Sequence, residues 1–86
     1  VPRISAFYGI VIAMYFIDHP PPHFHAKYGE FEAQVDIATG LTISGHLPAR
    51  AAAMVREWSA LRRSELERDW EYAQIGQPLV SIDPLP

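Results

Sequence analysis

The chain has 86 residues, 49% hydrophobic and 20% charged, with 10 acidic against 7 basic side chains and a formal net charge of -3. That length and mix describe one small globular domain with a thin core and exclude a disordered or fibrous chain. The absence of cysteine excludes disulfides, thiolate nucleophiles, haem attachment and cysteine-based zinc sites, and the mild acidity argues against a strongly basic nucleic-acid binder.

A first strand over Ile4 to Phe7 turns at Tyr8-Gly9 into a second over Ile10 to Ile17. Both alternating sets of the second, Ile10, Ile12, Met14 and Phe16 against Val11, Ala13, Tyr15 and Ile17, are apolar, which suits a strand covered on both faces. The run is about half the length of a membrane helix, and no signal-peptide pattern precedes it. The expected location is therefore cytoplasmic, with no membrane association. Asp18 to Pro22 then breaks the sheet, since Pro20-Pro21-Pro22 offers no backbone donor and holds a stiff, extended geometry.

Gly29-Glu30 fits a two-residue type II′ turn, because glycine supplies the positive φ at its first position. That turn sets Tyr28 against Phe31, Lys27 against Glu32, Ala26 against Ala33, His25 against Gln34, Phe24 against Val35 and His23 against Asp36. Apolar meets apolar and polar meets polar, a match that a one-residue slip destroys. Ala38-Thr39-Gly40 fits a three-residue loop into the next strand. It pairs Ile37 with Leu41, Val35 with Ile43 and Phe31 with Leu47, and on the polar face Asp36 with Thr42, Gln34 with Ser44 and Glu32 with His46.

Pro48 suits the first turn of a helix, and Ala51, Met54, Val55, Trp58 and Leu61 form its apolar stripe. Ser64-Glu65-Leu66-Glu67 reads as a capping box opening a second helix with Leu66, Trp70 and Ala73 inward, ended by Gly76 and Pro78. The chain thus divides into strands over 1–47, two helices over 48–76, and a tail or short edge strand over 77–86. The expected fold is α+β: a small antiparallel sheet of about four strands with a C-terminal αα-hairpin packed on one face.

Three of the 4 histidines stand in His19-Pro20-Pro21-Pro22-His23-Phe24-His25. On a strand, His23 and His25 share one face while Phe24 points to the core. A metal reading takes His19, His23, His25 and His46 as ligands for a divalent ion such as zinc, with Asp36 a further candidate. A metal-free reading makes His23, His25 and Asp36 catalytic, with Asp36 orienting His23 as a general base or acid on a phosphodiester or similar substrate. A solvated polar face with cross-strand ion pairs is the third reading. The basic first helix and acidic second helix follow the helix dipoles at their junction, and the acidity of the second opposes a helix-turn-helix docked on phosphates, leaving nucleic-acid binding weakly supported.

Phe7-Tyr8-Gly9-Ile10, the stretch from Asp18 to Ala26, Tyr28-Gly29, and Leu47-Pro48 with Val55-Arg56-Glu57-Trp58 resemble a bacterial family catalogued as domain of unknown function 4160. Asp18, His19, Pro21, Pro22, His23, Phe24, His25 and Ala26 match its most specific pattern. The resemblance brings no activity with it. It implies a small bacterial protein encoded beside another small domain, an arrangement similar to toxin–antitoxin or regulatory pairs. The expected function is a module that binds a small protein partner, with a homodimer through the edge at Leu41–Leu47 or the N-terminal strand as a further expectation. The alternative is a His-dependent hydrolase or nuclease, metal-assisted or metal-free.

Overall fold

The computed structural model describes residues 2–86, in which five strands form an antiparallel meander in the order β1-β2-β3-β4-β5. They are β1 (Arg3–Phe7), β2 (Ile10–Ala13), β3 (His23–Tyr28), β4 (Phe31–Asp36) and β5 (Thr42–Gly45), followed by α1 (Ala49–Leu61) and α2 (Arg63–Gln74). The α+β architecture is as expected, with one strand more than the sequence suggested. The core joins Ile10, Ile12 and Phe24 of the sheet to Val55 and Trp58 of α1 and Leu66 of α2, so one sheet face is closed by both helices.

Tyr8 and Gly9 both take positive φ, 49° and 82°, the conformation of a two-residue hairpin turn whose twist matches the strands it joins. Across Gly29 (φ 59°) all six predicted β3–β4 pairs form, from Tyr28 with Phe31 to His23 with Asp36. Alternation on both strands and the turn chemistry demand one register, and the chain takes it.

Two strand expectations are corrected. β2 stops at Ala13 rather than Ile17. Met14 still lies in the core, but the Ile17 N–H donates to Ala73 O of α2 at 3.1 Å, drawing the chain out of the sheet and leaving Phe16 and Ile17 exposed. The turn closed between Asp36 and Leu41 holds four residues, not three: the Asp36 N–H donates to Leu41 O and the Gly40 N–H to Asp36 O. The Asp36 carboxylate causes this by accepting from the Ala38 N–H (3.4 Å) and the Thr39 hydroxyl (3.0 Å). Ile37 drops into the core, Val35 pairs with Thr42 across a bulge, and Leu41 and Ile43 are left exposed.

The helices are joined by Arg62 alone, and backbone bonds run through it: the Arg62 N–H donates to Trp58 O, and the Leu66 N–H donates to Arg62 O. Ser64 therefore lies inside α2, and the capping box is not used; neither helix has a side-chain N-cap. Because α1 ends at this junction, Ser59 rather than Leu61 completes its inward face. α2 ends as expected at Gly76 (φ 75°), where the Gln77 N–H reaches Tyr72 O and the Gly76 N–H reaches Ala73 O, a Schellman closure.

Residues 77–86 form a tail, not a strand. Three bonds tie it down: Ile82 N–H to Ile4 O (2.8 Å), Trp58 Nε1–H to Asp83 O (2.8 Å) and Val80 N–H to Asp69 Oδ1 (3.0 Å). Asp69 is fully buried, with Oδ2 lacking a hydrogen bond. Burial pushes its carboxyl above the ordinary value, and the Val80 N–H and the neighbouring Arg68 offset this only in part. The folded state thus holds this proton to higher pH than the unfolded chain does. The stability it contributes is present at low pH and declines as pH rises from the ordinary carboxylate range through the raised value. Asp69→Asn keeps an acceptor for Val80 and removes the titration. Urea midpoints measured against pH are expected to lose that decline in the variant; an unchanged profile would refute the assignment. Among the described residues, no helix is long and apolar enough to cross a membrane.

Candidate metal centre

Asp18 enters the site because the chain leaves β2 sharply. Ile17 sits at φ 52°, a left-handed conformation that a β-branched residue rarely adopts, and its N–H is held by α2. The Asp18 carbonyl is fixed in turn by the Gln74 amide at 3.3 Å. The His19 N–H occupies Asp18 Oδ1 at 2.8 Å, and Oδ2 faces β3. There it lies 3.0 Å from His23 Nε2 and 3.4 Å from His25 Nε2.

The strand supplies the two imidazoles from one face, as alternation requires. His23 is 4% exposed. Its Nδ1 is 2.7 Å from Pro21 O, and since a carbonyl only accepts, Nδ1 carries a proton. The Nε2 of the neutral ring then presents a lone pair to the Asp18 carboxylate. That Nε2 is buried without an aligned hydrogen bond, as is His25 Nδ1, whose nearest acid is Glu32 Oε2 at 3.7 Å. Tyr15 packs edge-on against His25 (4.3 Å between centroids), and Trp70 packs against His23 (5.3 Å), so aromatic walls fix both rings.

Lone pairs aimed at one another are stabilised by a proton or by a cation between them. Asp18, His23 and His25 bring one ligand atom each to within 4.8 Å of the others. Bonds of about 2.1 Å in a tetrahedral centre separate ligand atoms by about 3.4 Å, close to the 3.0 and 3.4 Å seen here. In the metal-free site, where protons answer these lone pairs, burial works to raise the Asp18 pKa, but the His19 N–H, the His25 hydrogen bond and the charges of His23 and His25 outweigh it. The carboxyl is held below its ordinary value, in the ionised form a metal requires. The His23 Nδ1–H held by a backbone carbonyl is the second-sphere contact that orients a ligating imidazole.

Of the residues singled out in the sequence, the fold brings His23 and His25 together and places the others elsewhere. Asp36 is the backbone partner of His23, yet its carboxylate is spent on its own loop, so the acid beside His23 is Asp18. His19 is exposed and offers the cluster its backbone N–H, not its ring. His46 is exposed beyond β5, edge-on to Phe31 with ring centroids 5.8 Å apart. Of the metal candidates His19, His23, His25 and His46, only His23 and His25 stand, among the described residues, in a group that could hold an ion, and Asp18 completes that group. The sequence marks Asp18 only as the start of the segment that breaks the sheet.

A family model described as Domain of unknown function (DUF4160) matches residues 9–71, a span that contains all three residues of the centre. No curated protein and no solved structure matches the chain.

Proposed function

The chain belongs to the DUF4160 family, and we propose that it is a divalent-metal-dependent hydrolase whose ion is held by Asp18, His23 and His25. One observation supports this reading above the others: a buried His23 Nε2 with no aligned hydrogen bond faces an ionised carboxylate beside a second imidazole. Nitrogen and oxygen donors of this kind suit zinc and its first-row neighbours. Three protein ligands leave a position for water, whose pKa such an ion lowers to about 7, and the ion polarises a bound carbonyl or phosphoryl oxygen.

Chelator-stripped protein should bind one zinc ion and hydrolyse a member of a panel of nitrophenyl esters, bis-nitrophenyl phosphate and short RNA only when loaded. His23→Ala should abolish both. Binding without hydrolysis of any substrate would reduce the centre to a structural one, and absence of binding would sink the metal reading.

Glu32 enters through His25. When Nε2 of that ring is a ligand, Nδ1 must carry the proton, and the Glu32 carboxylate lies 3.7 Å from it. Glu32→Ala is expected to weaken zinc binding about 10–100-fold, with Glu32→Gln in between. Competition against a chromophoric chelator measures this, and equal affinities in all three proteins would show that Glu32 plays no part.

A second reading, a cytoplasmic bacterial module that binds the small partner of a regulatory or toxin–antitoxin-like gene pair, is favoured by β5, an outermost strand exposed along its whole length.

A further inference from the structure

β5 and α1 border a cavity of about 280 Å³, walled by Leu41 and Thr42 on one side and by Ala49, Ala52, Ala53 and Arg56 on the other. Three properties of this groove point to the same occupant. First, β5 pairs with β4 on one side only, so its outer edge offers unpaired backbone donors and acceptors beside the groove. Leu41 and Ile43 stand about half exposed there, at 49% and 47%. Natural edge strands are commonly guarded by charge or proline, and Leu41 to Gly45 carries neither. Second, the groove is lined mainly by apolar side chains, and its volume is large enough for an aliphatic one. Third, its single charged lining residue is Arg56, which forms no ion pair among the described residues.

Arg56 is held in place rather than loose. A Cβ added at Gly40 (φ 73°) would sit 3.3 Å from Arg56 Cγ and 2.9 Å from Ser59 Oγ, so the loop backbone lies directly on the arginine stem. The stem packs while the guanidinium stays exposed at the rim, which lowers the entropic cost of binding an anion.

We propose that this groove binds an extended segment of a partner protein, added as a sixth strand along β5, with an apolar side chain in the cavity and a carboxylate on Arg56. This deepens the partner-binding reading and is independent of the metal centre. Strand addition supplies sequence-independent backbone bonds, while the cavity and the guanidinium select the side chains. The charge argument separates a partner from a second copy of this chain. The β5 of another copy brings Leu41 to Gly45, which contains no carboxylate, and so leaves Arg56 unanswered.

The test is a displayed library of random heptapeptides selected on the immobilised chain. The enriched sequences should alternate apolar residues and carry an aspartate, a glutamate or a free C-terminal carboxylate. The best peptide, synthesised with a fluorophore, should bind at least about tenfold more weakly to Arg56→Glu, with Arg56→Gln intermediate. It should shift backbone amide resonances of Leu41 to Gly45 and Ala52–Ala53 while zinc binding stays unchanged. Arg56 is exposed, so both variants should melt with the wild type, and melting curves check that. Selection without an acidic preference, equal binding to the Arg56 variants, shifts confined to other elements, or concentration-dependent self-association that shifts the same amides would each overturn the proposal.

Discussion

Replacing Asp18 by alanine is expected to weaken zinc binding by more than about a hundredfold, beyond the range seen when an outer-sphere partner is lost. The carboxylate is the only anionic member of the set, and its Oδ2 is the atom both imidazoles approach. Without it, two neutral nitrogens are left to hold a dication in a half-buried site, where the missing charge is poorly replaced by solvent. The fold should survive, because the bond that anchors this loop to α2 uses the Asp18 backbone carbonyl, which alanine retains. The metal-free protein loses the contacts that keep this carboxyl ionised, a cost of about 1 kcal/mol in urea denaturation. His19→Ala and His46→Ala serve as controls. Both side chains are exposed and stand outside the cluster, so their zinc affinities should match the wild type. If Asp18→Ala binds zinc as tightly as the wild type does, or if His46→Ala loses it, the ligand set is wrong.

The same residues show what a sequence reveals about a site. The β3–β4 register was legible because two physical requirements agreed: face alternation and a glycine at the one turn position needing positive φ. That register placed Asp36 beside His23 correctly at the backbone, yet it could not decide where a short carboxylate turns. Asp36 stands at a loop entrance, where the Ala38 N–H and the Thr39 hydroxyl are nearer partners than an imidazole across the sheet. Asp18 was illegible for the opposite reason. Its approach to His23 depends on the Ile17–Ala73 bond to a helix more than fifty residues away in sequence, and no local pattern encodes that contact. Helix 2 was legible at its C-terminus, where Gly76 closes it, and blurred at its start, where Arg62 carries backbone bonds through the junction and makes a cap unnecessary. Buried Asp69 went unnoticed because its reason for burial, the Val80 N–H, lies in a tail with no periodicity of its own.

The core carries the second large expectation: Trp58→Ala should destabilise the domain by about 3–5 kcal/mol. Trp58 is fully buried, packed against Phe7 (ring centroids 5.3 Å apart) and edge-on to Phe24 (5.6 Å), so one side chain binds α1 to both β1 and β3. Its Nε1–H also holds Asp83 O, and with it the part of the tail that buries Ile82 and Leu85. Alanine therefore opens a cavity at the sheet–helix junction and frees the tail in a single change. A domain of this size has a total stability of about 5–15 kcal/mol, so a thin core loses a large share of its margin. Trp58→Phe separates the two contributions. It keeps an aromatic ring between Phe7 and Phe24 but offers no donor to Asp83, so its cost should be smaller, about 1–3 kcal/mol. Urea denaturation followed by Trp70 fluorescence measures both variants, since Trp70 packs on His23 of the proposed metal site. A loss in Trp58→Ala no greater than in Trp58→Phe would mean that the core relaxes around the cavity and that the tail bond dominates. Added zinc should recover part of the loss in Trp58→Ala, because an ion that binds only the folded state stabilises it by RT ln(1 + [Zn]/Kd). The centre draws on the Asp18 loop, on β3 and, through Gln74 and Trp70, on α2, so its occupancy reports on the packing that Trp58 holds together.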